Sequence, residues 1–250
     1  MQVFFYIFLN IFANVLKIKV LIGIILLVRG EEIMVQAVVF DLDGTLANTL
    51  EDLADAANYA ISFFNAPPHT TNKYKYFIGD GIHKLIERAL PQDKKGEADV
   101  LAAKQIFLEY YSKHYADKTC AYDGMQELIL KLKDLGIKVA VVSNKAQQPA
   151  VEVTQKLYGN LIEVVVGQRE GVPTKPNPEP VFLALNMLDV NAQNTLFVGD
   201  SGMDMAAAVN SGTIPVGVTW GFRESRELIE NGAKHIVNDP NELLELALSL

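Results

Sequence analysis

The run Asp41-Leu42-Asp43-Gly44-Thr45 carries two carboxylates two positions apart. That spacing puts both side chains on one side of a chain leaving a strand. Carboxylates so placed can attack an electrophile, exchange a proton or ligate a hard cation. The plainer reading is a polar turn whose aspartate caps a helix. Four fixed positions arise by chance about once in 10^5 placements, so the pattern asks for a chemical explanation.

Three later segments add polar groups to the ends of apolar runs. Ser143-Asn144 closes one, Lys175 follows another inside Thr174-Lys175-Pro176-Asn177-Pro178, and Gly199-Asp200-Ser201-Gly202-Met203-Asp204 closes a third. Each alone has a plain explanation: a helix cap, a solvated loop lysine, an acid in a helix's first turn. Their order along the chain, always at the end of an apolar run, is what singles them out.

The elements that must position these groups are legible from periodicity. Short β-branched runs at 36–40, 138–143, 162–166, 194–199 and 214–218, with a weaker one near 235–237, predict strands covered on both faces. Amphipathic segments between them, such as 124–135 and 203–211, predict helices closed by Gly136 and Gly212. Alternating β and α units imply an α/β fold with a doubly wound parallel sheet. In such sheets the ligand crevice lies at the carboxyl ends of the strands. The interval 51–119 breaks the rhythm and predicts helices at 51–64, 82–90 and 98–115. We read 35–50 and 120–250 as the α/β core and 51–119 as a small helical insertion.

Composition narrows the function classes. The 250 residues are 50% hydrophobic and 21% charged, which fits a folded globular chain. Thirty acidic against 22 basic residues give a net charge of −8, which excludes bulk attraction to nucleic acid. The single cysteine, Cys120, excludes an internal disulfide and a multi-cysteine zinc site, and reads as a small buried apolar side chain. His69, His114 and His235 show no metal-ligand spacing, and Trp220 reads as a packing or loop residue.

Residues 1–34 are an apolar extension unlike the rest. Within 3–28, Lys17 and Lys19 interrupt the middle and Asn10 and Asn14 the first half, so neither half reaches the roughly 20 apolar residues that span a bilayer. Met34 stands directly before the first strand. We expect translation to start there and the protein to be cytoplasmic. The alternative is a membrane tether through 3–28.

Phe40-Asp41-Leu42-Asp43-Gly44-Thr45-Leu46, Ser143, Lys175 and Gly199-Asp200-Ser201 with Asp204 together resemble the four motifs of the haloacid dehalogenase superfamily. The resemblance covers 35 to about 240. Gly79-Asp80-Gly81-Ile82-His83-Lys84-Leu85-Ile86, Tyr122-Asp123-Gly124-Met125 and Lys175-Pro176-Asn177-Pro178 are most similar to its phosphoglycolate phosphatase group. Asn48-Thr49 and Asp123 depart from that group's usual residues without touching the catalytic set. The resemblance implies a Rossmann-like core and a helical cap, with Asp41 as nucleophile and Asp43 as general acid and base. It implies Mg²⁺ on Asp41, Asp200 and the backbone carbonyl of Asp43, with Asp204 ligating or orienting Lys175. It implies phosphate contacts from Lys175, Ser143, the Asn144 N–H and Thr45, and substrate selection around Gly79-Asp80-Gly81, His83, Lys84 and Arg88.

A cation is needed on physical grounds too. A carboxylate facing a phosphate dianion at 4 Å is repelled by about 8 kcal/mol at an effective dielectric of 20. The expected partner is a small phosphorylated metabolite, foremost 2-phosphoglycolate, acted on by a monomer or homodimer. A sugar-phosphate mutase, a pyrophosphatase and a phospho-acceptor signalling module are the alternatives.

Overall fold

The computed structural model describes residues 34–250; the apolar extension and its proposed start lie outside them, apart from Met34. The central strand is β1 (Ala37–Phe40), four apolar residues with no exposed surface. Such a strand needs cover on both faces, which parallel crossovers through helices supply. β4 (Lys138–Ala146) pairs with it on one side and β6 (Thr195–Gly199) on the other, both parallel. β5 (Val164–Gln168) flanks β4, while β7 (Ile214–Val218) and β8 (His235–Val237) extend the other side, giving the order β5-β4-β1-β6-β7-β8. The chain departs from β1 in opposite directions, so a crevice opens at its carboxyl end. Phe40 pairs with Val141 and with Val198, so Asp41 leaves the sheet one residue beyond that shared level.

The interval after β1 holds α1 (Leu50–Ser62), α2 (Thr71–Tyr74), α3 (Gly81–Ala89) and α4 (Glu97–His114). Leu53, Ala57 and Ile61 recur every fourth residue on α1 and share a buried cluster with Ile86 of α3 and Phe107 of α4. A two-stranded antiparallel ribbon, β2 (Ala47–Asn48) with β3 (Cys120–Ala121), carries the chain out of the core and back. Asp52 braces this junction: its buried carboxylate accepts the N–H groups of Lys118 and Thr119 and the Thr119 hydroxyl. Core and insertion together, Val35–Ser249, form one compact unit. Among the described residues no helix is long and apolar enough to cross a membrane.

Three elements differ from expectation. β4 runs on through Ser143 and Asn144 to Ala146, with a register shift after Val142 and renewed pairing of Ala146 with Gln168. The helix expected at 124–135 precedes β4 as α5 (Met125–Asp134), while α6 (Gln147–Tyr158) begins beyond Asn144, which therefore stands in a strand. The third strand of the core starts at Val164, not 162. Cys120 is exposed, because it sits on a two-residue ribbon outside the sheet.

Candidate active site

The four polar segments converge at the carboxyl ends of β1, β4 and β6. The Asp41 N–H donates to the Val198 carbonyl at 2.8 Å, which fixes the exit of β1 against β6. On the other side, Asn144 grips the Lys175 backbone twice: its Oδ1 accepts the Lys175 N–H at 2.8 Å and its Nδ2 donates to the Lys175 carbonyl at 3.2 Å. The same amide donates to the Gly79 carbonyl in the insertion at 3.0 Å. Asn144 thus acts through its side chain, placing Lys175 and the loop before α3. Asn144 lies within β4, which runs on to Ala146, and not beside a helix N-terminus as expected.

The Lys175 ammonium is buried and donates to Asp41 Oδ1 and Asp204 Oδ1, each at 2.6 Å, and to the Val142 carbonyl at 2.9 Å. Its three donors are all engaged. Asp204 opens α8 (Gly202–Ser211), where its Oδ2 accepts the Ser201 N–H and hydroxyl while Ser201 caps the helix in return. Asp204 therefore orients Lys175 and anchors a helix N-terminus at once.

Asp200 is clamped from three directions. Its Oδ2 accepts the Phe222 N–H at 2.7 Å, and its Oδ1 accepts the Thr45 hydroxyl at 3.2 Å. Gly44, at φ 93°, and Gly221 pack against it so closely that an added Cβ would fall 2.3 Å from Asp200 Oδ2 and 2.2 Å from Asp200 Cβ respectively. Thr45 has no exposed surface, and its hydroxyl serves Asp200. That contact positions an acidic side chain of the site.

Oxygens of Asp41, Asp200 and Asp204 all lie within 4.8 Å of one another, and all three residues are buried. Burial foremost, then the Asp204 charge, pushes the Asp41 carboxyl up to about 7 against the opposing pull of Lys175. Burial, then Asp204 and Asp41, likewise raise Asp200. Burial alone would lower Lys175, but Asp204 and Asp41 outweigh it and hold its pKa above the ordinary lysine value. With all three carboxylates ionised, the one ammonium would leave the cluster a net charge of −2. An oxygen-only donor set with that deficit fits a hard divalent cation.

Asp43 stands apart from this cluster. Its two carboxylate oxygens accept from Lys145 Nζ at 3.0 and 3.2 Å. Sequence reasoning missed Lys145; its position two residues beyond Ser143 became informative only once β4 extended that far. Ser143 is buried and lines the same cleft. The cleft opens to solvent. Its walls include Ile78, Ile82, Leu85 and Leu108 from the insertion and Phe222 from the core.

Gly79 and Gly81 line the cleft, but His83, Lys84 and Arg88 do not. Those three side chains have local acidic neighbours: Glu97 at 3.7 Å, Glu87 at 2.7 Å and Asp80. Apart from Lys145 and Lys175, the cation lining the cleft is Arg223, from the loop after β7. It donates to the carbonyls of Lys75 and Ile78 in the insertion and lies 3.4 Å from Glu227.

Comparison with known proteins agrees with this geometry. A family model for haloacid dehalogenase-like hydrolases matches residues 38–218. The chain belongs to that family. Within the family it is a hydrolase of the phosphatase kind. A phosphoglycolate phosphatase of Chromobacterium violaceum is 32% identical over 216 residues, covering 85% of this chain and 96% of the relative. Another, from Neisseria gonorrhoeae, is 35% identical over 192 residues, 75% and 81% of the two chains. A crystal structure from Lactobacillus delbrueckii subsp. bulgaricus, provisionally named a phosphoglycolate phosphatase, superposes with a TM-score of 0.82 at 28% identity, covering 86% and 98%. A haloacid dehalogenase-like family hydrolase from Streptococcus pneumoniae shares the fold, with a TM-score of 0.77 at 21% identity and 86% and 99% coverage.

Proposed function

We propose that this chain hydrolyses a small phosphate monoester, foremost 2-phosphoglycolate, through a phosphoryl group carried on Asp41. The observation that carries this reading is the meeting of Asp41, Asp200, Asp204 and Lys175 within one buried cluster. The relatives named phosphoglycolate phosphatase support the choice of substrate.

A carboxylate oxygen of Asp41 forms a bond to phosphorus as the bond to the leaving alkoxide breaks. Asp43 gives the alkoxide its proton, then takes one from a water molecule. That water attacks phosphorus, releasing inorganic phosphate and restoring Asp41. Lys175, its donors engaged by Asp41, Asp204 and the Val142 carbonyl, supplies positive charge beside the phosphoryl oxygens, and the Ser143 hydroxyl donates to one of them. Mg²⁺, held by Asp41, Asp200 and the Asp43 carbonyl with Asp204 beside them, supplies charge neutralisation between nucleophile and phosphate when bound. Among cleft-lining cations, Arg223 is the one that no site aspartate pairs with, so we assign it to the substrate's carboxylate. The walls contributed by Ile78, Ile82 and Leu85 limit bulk water around the reacting group.

The test is phosphate release from phosphoglycolate and from a panel of sugar phosphates, with Mg²⁺ and after chelation. Metal-dependent release, fastest from phosphoglycolate and lost in Asp41→Asn, is expected. Release that persists in Asp41→Asn at the unmutated rate overturns the reaction scheme, and a faster sugar phosphate overturns the substrate.

A further inference from the structure

Lys145 has no part in the scheme above, yet its side chain is almost completely buried in the cleft. An ammonium taken from water costs several kcal/mol unless partners replace its hydration. Here the partners are both oxygens of Asp43 and the Tyr111 hydroxyl, which accepts from Nζ at 2.8 Å. The ammonium also lies 5.0 Å from the centre of the Tyr111 ring. Tyr111 is buried on α4, the last helix of the insertion, and stacks on Phe107 of the insertion's own core at 5.2 Å. A continuous line of contacts thus runs from the packed interior of the insertion, through one lysine, to the acid–base carboxylate of the core.

The geometry points to Lys145 as a positioning residue: seated by Tyr111, it aims the Asp43 carboxylate at the leaving oxygen. The insertion then contributes to the placement of the proton donor as well as to the cleft wall. A lysine fits because one ammonium can direct N–H groups to two carboxylate oxygens and a hydroxyl at once. This inference rests on the reading of Asp43 as general acid.

Leaving groups of different basicity separate this role from a structural one. An alkoxide, as in phosphoglycolate, needs a proton as it departs, whereas p-nitrophenolate does not. The variants Lys145→Met, Lys145→Arg, Tyr111→Phe and Asp43→Asn are assayed with Mg²⁺ on phosphoglycolate and on p-nitrophenyl phosphate. Misplacing the donor in Lys145→Met lowers kcat/KM, which reads phosphoryl transfer and not the later hydrolysis common to both substrates, about 100-fold on phosphoglycolate and by an order of magnitude less on p-nitrophenyl phosphate. Tyr111→Phe, the milder change should Lys145→Met fail to fold, shows the same inequality with a loss of about tenfold on phosphoglycolate. Lys145→Arg recovers part of the phosphoglycolate rate. Equal losses on both substrates in Lys145→Met and Tyr111→Phe, beside unequal losses in Asp43→Asn, overturn the positioning role alone. Equal losses in Asp43→Asn as well overturn the acid role of Asp43 and the positioning role with it.

Discussion

Gly221→Ala is a small change with a large consequence. Gly221 has no left-handed backbone, so alanine is conformationally permitted there and any effect is steric. The added Cβ would meet Asp200 Cβ at 2.2 Å, the Gly44 carbonyl oxygen at 2.5 Å and Asp200 Oδ2 at 2.6 Å. Ordinary contact begins near 3.4 Å, so something must move by about 1 Å. Two of these neighbours offer no flexible side-chain end: one is backbone and the other is bonded directly to it. The shift therefore reaches the Asp200 carboxylate, which the Thr45 hydroxyl and Phe222 N–H hold in place. Overpacking of this kind costs about 1–3 kcal/mol of stability, roughly 2–12 °C in Tm for a domain of this size. A displacement of about 1 Å at a reacting centre costs about 100-fold in rate. The assay is turnover on phosphoglycolate across a Mg²⁺ titration, with thermal unfolding and circular dichroism to establish that the variant is folded. We expect a folded protein with a weakened Mg²⁺ requirement curve and about 100-fold lower kcat/KM. A Gly221→Ala protein with unaltered Mg²⁺ dependence and turnover would refute the argument that packed glycines set the position of Asp200.

Other consequences follow from the same contacts. Asp52→Ala strips the Lys118 and Thr119 donors of their acceptor and should lower stability by about 3 kcal/mol, measured by urea unfolding; an unchanged midpoint contradicts it. Asp41 is held near 7 against an ordinary 3.8, so between those values the metal-free folded protein retains a proton that the unfolded chain has released. Its contribution to stability then falls as pH rises through that window. Mg²⁺ bound at Asp41, as proposed, would compete with the same proton, so its increment in Tm should grow from about pH 5 to about pH 8; an increment that shrinks over that range contradicts it. Arg223→Met should raise KM for phosphoglycolate about tenfold or more while sparing 2-hydroxyethyl phosphate, which lacks the carboxylate; equal changes in steady-state KM for the two esters would remove Arg223 from substrate recognition.

The sheet was legible because its strands are short apolar runs and its helices end at Gly136 and Gly212, signals that depend on local sequence. Asp41, Asp200, Asp204 and Lys175 were legible for a related reason: Asp41 and Asp200 directly follow apolar runs, Asp204 and Lys175 come a few residues after one, and parallel pairing brings those strand ends together. The ribbon of Ala47–Asn48 with Cys120–Ala121 was not, because two-residue strands leave no alternation to read. That is why the exposure of Cys120 came as a reversal. The contacts of the Asn144 side chain and the Thr45 hydroxyl were not legible, because a polar side chain near a phosphate site carries no sign of which neighbouring protein group it meets. Lys145, Tyr111 and Arg223 were missed on similar grounds. Their partners lie 102, 34 and 145 or more residues away along the chain, and no local pattern encodes contacts of that range.

The covalent role of Asp41 is tested most directly by rapid acid quench of turnover on phosphoglycolate labelled at phosphorus, followed by peptide mapping. The account predicts label on the peptide that contains residue 41, more of it in Asp43→Asn if removal of the phosphoryl group slows further than its transfer, and none in Asp41→Asn. Sustained phosphate release with label on another residue would contradict it.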